Sequence, residues 1–278
     1  MTFTTQDTLT VAALLREAAL AEIMPRFRSL TEGQIRQKSS ATDLVTDADE
    51  AAERLLTARL KERFPGCAVI GEEATAANPS LLDHIAEPEL LFILDPVDGT
   101  ANFAAGLPLF GVMASVVSRG EVIAGIIYDP MGEDWAIARR GEGAWFESLS
   151  GQRREMKVAK PVPLKEMVGG VSWGYLEEPL RSTLCTNMAQ LSASASLRCA
   201  AHEYRLVASG HTHFVLYNKL MPWDHAAGWL IHREAGGYSA RFDGSAYQPA
   251  LYTGGLLCAT DEASWHILAD GLLKPRSA

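Results

Sequence analysis

The stretch Asp95-Pro96-Val97-Asp98-Gly99-Thr100 is the most informative part of this 278-residue chain. It sets two carboxylates three residues apart around a proline and ends in a Gly-Thr turn. The apolar run 90–94 predicts a strand, which we expect to end in a stiff corner because proline fixes its own φ and restricts the residue before it. Both acids can then point at one place, as ligands of a hard cation such as Mg²⁺. A plain Asx-type turn is the alternative.

Two further acidic clusters favour the metal interpretation, because a catalytic Mg²⁺ site needs more oxygen ligands than one corner offers. Gly71-Glu72-Glu73 follows the apolar run 67–70, which predicts a strand that ends in carboxylates. Asp224 opens a segment whose apolar residues recur at helical spacing through Ala235. Asp is also a preferred N-cap residue, so a simple capping role for Asp224 stays open.

The remaining sequence alternates between helical and strand patterns. Apolar periodicity predicts helices over 6–27 and 48–64. From Phe110 the pattern changes to short β-type segments separated by turns, which indicate antiparallel hairpins with strands over 110–117, 122–128, 134–138 and 144–146. Later segments predict a mixed or parallel sheet between helices, with strands over 168–172, 194–198 and 214–217 and helices over 178–190, 200–209 and from Asp224. We therefore predict an α+β half, 1–150, with most of the acidic ligands, and an α/β half, 151–278, that supplies Asp224 and the specificity residues.

Composition narrows the function classes. The formal charge of −9 argues against nucleic-acid binding, which needs Lys and Arg to neutralise phosphates. No segment reaches the ~18–20 apolar residues of a membrane span, and the first residues lack the pattern of a secretory signal. The four cysteines show no paired spacing, which is typical of reduced thiols. We expect a cytoplasmic protein without a membrane partner.

Four motifs, in this order, resemble those of the Mg²⁺-dependent, lithium-sensitive inositol monophosphatase-like phosphatases, a family that includes fructose-1,6-bisphosphatases and nucleotide 3′-phosphatases. They occupy 38–49, 71–73, 95–103, and 223–228 together with 234–237. The resemblance covers nearly the whole chain. It implies a layered αβαβα sugar-phosphatase fold, with an antiparallel sheet in the first half, a mixed sheet in the second and metals at their junction. It also implies a small phosphorylated substrate and a homodimer.

The resemblance implies a metal ligand set. Glu72, Asp95 and the backbone carbonyl of Val97 would hold the first Mg²⁺. Asp95, Asp98 and Asp224 would hold the second, with Asp95 bridging the two ions. A third, weaker ion would use Glu72 and waters, which makes Glu72 a catalytic residue as well. The expected cofactor is therefore two or three Mg²⁺ ions.

The resemblance also implies catalytic and phosphate-binding residues. Thr100 and Asp49 would orient the attacking water, so that no protein nucleophile is required. Asp49 also stands near the start of a predicted helix, where a capping role competes with the catalytic one. Gly99, Thr100 and Ala101 would offer backbone N–H groups to the phosphate at a helix N-terminus, where the helix dipole favours an anion.

Substrate choice rests on a departure from the family's inositol-specific pattern. In that pattern a Gly-Thr-Ala run precedes the last strand, and a Glu at the end of that strand holds the inositol hydroxyls. Those positions fall on Arg198-Cys199-Ala200 and on Tyr217, so the Glu is missing. We expect Arg198, Ala200 and Tyr217 to contact the substrate, and Arg198 suits a second phosphate or a carboxylate better than a neutral polyol. A surface arginine or an ion pair between subunits is the alternative. Further candidates for contact are Asn218, Lys219 and His225.

The predicted function is hydrolysis of a small sugar, polyol or nucleotide phosphate by metal-activated water. Two alternatives stay open. Arg198 motivates a bisphosphate substrate, such as fructose 1,6-bisphosphate or a nucleotide 3′,5′-bisphosphate, and a regulatory or scaffolding protein could keep the fold without catalysis. Other chemistries lack support. The chain has no Gly-x-Ser-x-Gly nucleophile pattern and no Gly-x-x-x-x-Gly-Lys loop. His211-Thr212-His213 has no third His or Cys nearby for zinc.

Overall fold

The structure is a computed structural model that describes residues 3–37 and 44–275, so positions 38–43 of the predicted 38–49 motif lie outside the described residues. The α-helices are α1 Thr5–Ala18, α2 Asp47–Arg63, α3 Glu72–Ala77, α4 Thr100–Ala104, α5 Leu180–Asn187, α6 Ala200–Ala208, α7 Pro222–Glu234 and α8 Glu262–Leu268. Within the described ranges, none of the helices combines the length and the apolarity needed to cross a membrane. The strands of the first part of the chain are β1 Ile35–Gln37, β2 Leu44–Thr46, β3 Ala68–Gly71, β4 Leu91–Asp98, β5 Gly111–Ser118, β6 Glu121–Asp129, β7 Asp134–Arg139, β8 Gly143–Ser148 and β9 Arg153–Glu155. Those that follow are β10 Val168–Val171, β11 Ala193–Ala195, β12 Phe214–Tyr217, β13 Tyr238–Arg241 and β14 Leu256–Ala259.

Two large sheets organise the chain, beside a small antiparallel pair of β1 and β2. The seven-stranded sheet runs from β3 to β9 in chain order and is antiparallel except between β3 and β4. The five-stranded sheet has the order β11-β10-β12-β14-β13 and mixes parallel with antiparallel pairs. These sheets confirm the predicted antiparallel first half and mixed second half. Strand β9 extends the first sheet to Glu155. The division of the chain near residue 150 stays a prediction.

Helices cover both faces of each sheet. Along β4, Leu91 packs in a core with α6 and α7, whereas Phe92 packs with α1 and α2. Along β12, Val215 faces α6 and α7, whereas Phe214 packs with α5 and α8. Successive strand residues point to opposite faces, so each sheet buries both of its faces. The layers follow as helices, sheet, helices, sheet, helices, which is the predicted αβαβα arrangement.

Local sequence signals explain which predicted elements are confirmed. The four predicted hairpin strands correspond to β5 to β8, and the turn between β5 and β6 uses positive φ at Arg119 (50°) and Gly120 (82°). Two successive positive φ values match the twist of a tight antiparallel hairpin. The prediction of a helix over 48–64 is confirmed by α2, whose N-cap is Thr46.

The helix predicted over 6–27 and the strand predicted over 194–198 are wrong in extent. The helix predicted over 6–27 ends as α1 at Ala18 and continues as a π turn and a 3₁₀ turn that contains Pro25. Proline cannot donate the hydrogen bond that would continue an α-helix. The strand predicted over 194–198 ends at Ala195, and Arg198 has a φ of 52°, which lies outside the strand region.

Candidate active site

An extra residue in β4 brings Asp95 and Asp98 to the same side of the sheet. Asp95 pairs with Met113 and Asp98 with Gly111, so an advance of three residues on β4 meets an advance of two on β5. In a regular strand, residues three apart point to opposite faces, and one extra residue reverses that parity. Pro96 lies within this irregularity. The strand therefore continues past the expected corner, which corrects the predicted end before Asp95, and both acids line one cavity as expected.

Three carboxylates from different elements meet in this cavity. Glu72 begins α3, Asp95 lies on β4 and Asp224 lies in the first turn of α7. One oxygen from each lies within 4.8 Å of the others, and across residues 3–37 and 44–275 no other His, Cys, Asp or Glu group of this size is so arranged. Burial raises the pKa of Asp95 well above its usual range, and the charges of Glu72 and Asp98 raise it further. A bound cation is what such a cluster needs to stay ionised.

Asp224 belongs to this cluster rather than to a helix cap. Its helix begins at Pro222, two residues before the predicted start, and the N-terminus of that helix has no side-chain cap. Proline suits the first turn of a helix because its missing N–H needs no partner there. Burial raises the pKa of Asp224 well above its usual value, Glu72 and Asp98 raise it further, and Lys219 lowers it. The position of Asp224 argues against the capping alternative.

Asp98 links β4 to helix α6. Its Oδ2 atom accepts a hydrogen bond from the backbone N–H of Ala201 at 2.6 Å and one from the thiol of Cys199 at 2.9 Å. Cys199 is the N-cap residue of α6 but makes no cap bond of its own, so Asp98 supplies an acceptor to the first turn. Burial raises the pKa of Asp98, whereas these donors lower it. Its role as a metal ligand stays a prediction.

Asp49 uses its two oxygens for different contacts. Oδ2 accepts hydrogen bonds from the backbone N–H of Thr46 at 2.9 Å and from the Thr46 hydroxyl at 2.6 Å, which completes a capping box for α2. Oδ1 lies 3.1 Å from the Thr100 hydroxyl. That hydroxyl also lies 2.9 Å from the carbonyl oxygen of Val97. The capping and catalytic interpretations of Asp49 are therefore compatible.

Gly99 forms the turn between β4 and α4. Its φ of 87° lies in the left-handed region, which glycine adopts without strain, and it is the N-cap residue of α4. A Cβ atom at this position would lie 2.9 Å from the carbonyl oxygen of Leu109 and 3.1 Å from the Cβ of Cys199. Gly99, Thr100 and Ala101 line the same cavity as the carboxylates. The predicted helix N-terminus is confirmed, and phosphate binding there stays a prediction.

The cavity has a volume of about 190 Å³ and is lined by both halves of the chain. All three predicted substrate residues, Arg198, Ala200 and Tyr217, contribute to its wall. The wall also contains Glu203 and Tyr175, which the sequence analysis did not single out. Burial raises the pKa of Glu203 to about 7. No local pattern marks these two residues, because only the folding of α6 and of the 173–175 turn against the first half brings them to the cavity.

Histidines near the site are occupied by structural contacts. His225 contacts the Tyr204 hydroxyl through Nδ1 at 3.1 Å and the Lys219 carbonyl oxygen through Nε2 at 2.7 Å. Nδ1 of His213 accepts the backbone N–H of Val168 at 3.1 Å. Strand β12 begins at Phe214, as predicted, so His211 and His213 lie before it. These contacts weaken the zinc alternative.

Comparison with known proteins agrees with this architecture. The model of the inositol monophosphatase family matches residues 5–277. An inositol-1-monophosphatase of Mesorhizobium japonicum is 32% identical over 240 residues, which cover 85% of each chain. A fructose-1,6-bisphosphatase/inositol-1-monophosphatase of Thermotoga maritima is 30% identical over 215 residues, which cover 76% of each chain. The crystal structure of the extragenic suppressor protein suhB from Bartonella henselae superposes with a TM-score of 0.78 at 27% identity and covers 96% of this chain and 97% of that one. The chain belongs to the inositol monophosphatase family.

Proposed function

We propose that this protein is a Mg²⁺-dependent phosphomonoesterase that hydrolyses the phosphate ester of a small sugar, polyol or nucleotide. The observation that carries the proposal is the group of Glu72, Asp95 and Asp224, whose oxygens lie within 4.8 Å of one another in a cavity shared with the 99–101 turn. A cavity of about 190 Å³ suits a small metabolite better than a macromolecule.

The donor set fits Mg²⁺. It consists of carboxylate oxygens, which hard cations prefer, and Mg²⁺ binds through a few carboxylates together with waters and substrate phosphate. Burial raises the pKa values of Asp95 and Asp224, so a cation is needed to keep both ionised. We infer that Glu72, Asp95 and Asp224, joined by Asp98 and the Val97 carbonyl, hold two or three ions. When bound, Mg²⁺ neutralises phosphate charge and lowers the pKa of water.

The chain's own residues then position the reactants. The Thr100 hydroxyl lies between Asp49 Oδ1 and the Val97 carbonyl oxygen, at 3.1 and 2.9 Å. When Thr100 donates to Asp49, its oxygen can accept a hydrogen bond from the attacking water, and the pair orients that water. The N–H groups of Gly99, Thr100 and Ala101 bind the phosphate oxygens and stabilise their charge in the transition state. No side chain has to attack phosphorus.

Phosphate release from inositol, fructose, histidinol and nucleotide phosphates tests the proposal, with Mg²⁺, with EDTA and with added Li⁺. We expect one compound to be hydrolysed only with Mg²⁺, and we expect Li⁺ to inhibit that hydrolysis. Asp95→Asn keeps the side-chain shape but removes a ligand charge, so it should lower kcat/KM by more than ~100-fold, since even the outer partners of metal ligands contribute about 10- to 100-fold. The matched control is Asp83→Asn, at an exposed position.

Two outcomes would contradict the proposal. Near-normal turnover by Asp95→Asn would refute the assigned metal cluster. A folded wild-type protein that binds Mg²⁺ but releases phosphate from no ester would instead favour the regulatory or scaffolding alternative, and partner capture by that protein would then be the next measurement.

Assembly is proposed on the family resemblance, and location on the composition of the sequence. We propose a homodimer in the cytoplasm, with chain halves that divide near residue 150. Light scattering coupled to size exclusion measures the mass, and a monomer at micromolar concentration would contradict the dimer.

A further inference from the structure

We propose that Arg198 and Lys219 form a second anion site at the mouth of the cavity, which selects phosphate esters whose leaving group carries another phosphate or a carboxylate. The inference rests on the proposed phosphatase function and deepens it by naming the substrate class.

Charge is separated between the inside and the mouth of the cavity. Among the described lining residues, Arg198 and Lys219 are the lysine and arginine side chains, and both are exposed. The lining carboxylates are buried or half-buried, and they are Glu72, Asp95, Asp98, Glu203 and Asp224. A substrate that enters with its scissile phosphate toward the acidic interior, where cations are expected, therefore leaves its other end beside two positive side chains.

Arg198 is held by a network rather than lying loosely on the surface. Its Nη2 atom donates to Asn102 Oδ1 at 2.9 Å, and Asn102 Nδ2 donates to the carbonyl oxygen of Leu197 at 2.8 Å. Glu203 Oε1 accepts the backbone N–H of Leu197 at 2.7 Å. The φ of Arg198 is 52°, a conformation that a non-glycine residue keeps only when its surroundings determine it. Asn102 and Glu203 are thus positioning residues for Arg198.

Both cations keep binding capacity for a ligand. Neither forms an ion pair with any carboxylate within residues 3–37 and 44–275. Asn102 uses one of the five N–H donors of the Arg198 guanidinium. The Lys219 ammonium lies 5.7 Å from the centroid of the Tyr175 ring, a weak attraction that does not neutralise its charge. An anionic group at this wall of the cavity would gain charge-assisted hydrogen bonds from them.

The leaving group is the part of the substrate that these cations would select. The scissile phosphate already has the metal ligands and the 99–101 turn. A neutral polyol would leave Arg198 and Lys219 solvated and would gain little, whereas a phosphate or carboxylate matches the planar fork of arginine. Opposite charge at the entrance would also speed encounter with such substrates.

Two matched substrate pairs test the site. Fructose 1-phosphate and fructose 1,6-bisphosphate differ by a second phosphate, and glycerol 3-phosphate and 3-phosphoglycerate differ by a carboxylate. We expect a higher kcat/KM for the anionic member of one pair, and which pair responds distinguishes phosphate from carboxylate. Arg198→Met and Lys219→Met should each lower that value about 10- to 100-fold. They should lower the kcat/KM of the neutral member much less, so that the ratio between the two members falls toward one. Lys160→Met, at an exposed position away from the cavity wall, is the control.

The outcomes separate this inference from the proposed function. Equal loss for both members of a pair, or a wild-type protein without preference, overturns the anion site while leaving the phosphatase intact. A change in oligomeric mass in Arg198→Met overturns it in favour of a subunit contact. If none of the four compounds is hydrolysed, the phosphatase assignment fails for them. Isothermal titration calorimetry with the same compounds then tests the anion site by itself. Tighter binding of an anionic member that is lost in Arg198→Met supports the site, and equal binding overturns it.

Discussion

Replacing Glu203 by glutamine should remove a pH-dependent loss of stability from the protein. Glu203 is 5% exposed, and burial raises its pKa from 4.5 to about 7. Its Oε1 atom accepts the backbone N–H of Leu197 at 2.7 Å, and a glutamine oxygen can accept the same bond. The substitution therefore removes the ionisation while keeping the local structure.

The sign and size of the effect follow from the two pKa values. Between pH 4.5 and about 7 the folded state keeps a proton on Glu203 that the unfolded chain has released, so the free energy of unfolding falls as pH rises. One pKa unit corresponds to about 1.36 kcal/mol, so the full effect is about 3 kcal/mol. Roughly 2 kcal/mol of it falls between about pH 5.5 and about pH 8.

Urea unfolding in the presence of EDTA, at about pH 5.5 and at about pH 8, measures this contribution of Glu203 to the free energy of unfolding. Other titrating groups, such as His225, contribute equally to the wild type and to Glu203→Gln, so the difference between the two proteins isolates Glu203. The wild type should lose about 2 kcal/mol more than the variant on going to the higher pH. Glu166→Gln, at an exposed position, should behave like the wild type. Parallel pH dependence of the wild type and Glu203→Gln would refute the reasoning.

Three further predictions concern single groups. Burial lowers the pKa of His232 from 6.5 to about 4. Lowering the pH from 6.5 to about 4 should therefore reduce the free energy of unfolding of the wild type by up to about 3 kcal/mol, because the unfolded chain takes up the proton first. His232→Gln should reduce this acid sensitivity in urea unfolding at pH 7 and pH 5. Gly71→Ala should lower the free energy of unfolding by about 1–3 kcal/mol, since a Cβ would collide with the Glu53 carboxylate that caps α3 through the N–H groups of residues 73 and 74; unchanged thermal unfolding would contradict this. Thr100→Val should lower kcat about 100-fold with little change in KM, whereas Thr100→Ser keeps the hydroxyl next to Asp49 and should retain most activity in phosphate release.

Elements with strong local signals were predictable from the sequence. The β5–β6 hairpin consists of two apolar runs separated by Arg119 and Gly120, both of which take positive φ in the turn. The apolar runs and the turn glycine are both local signals. The strand prediction around Arg198 fails because contacts with Asn102 and Glu203 set the conformation of this segment. Asn102 lies 96 residues away in the chain, beyond the reach of any local pattern.

The candidate site likewise combines features that the sequence predicts with features that only the folded chain shows. The chemistry and order of Glu72, Asp95 and Asp224 mark these residues in the sequence, and the structure brings them together. The extra residue that brings Asp98 to the same side as Asp95 arises from the pairing of β4 with β5. The sequence of β4 alone does not determine that pairing. The bond from Asp98 to Ala201 crosses 103 residues, so the link between the strand and α6 appears only in the folded chain.

The buried carboxyl groups of the cavity are unfavourable for folding when ionised, which argues for catalysis over a scaffolding role. Burial raises the pKa values of Asp95, Asp98, Glu203 and Asp224 above their usual ranges, so in each case the ionised side chain is less stable in the folded protein than in water. Apolar residues of similar volume would often serve folding as well or better. A chain that needed only its surface for binding a partner would gain nothing from concentrating these charges in one cavity. The arrangement becomes favourable when cations and a phosphate enter that cavity, which is the state that the proposed hydrolysis requires.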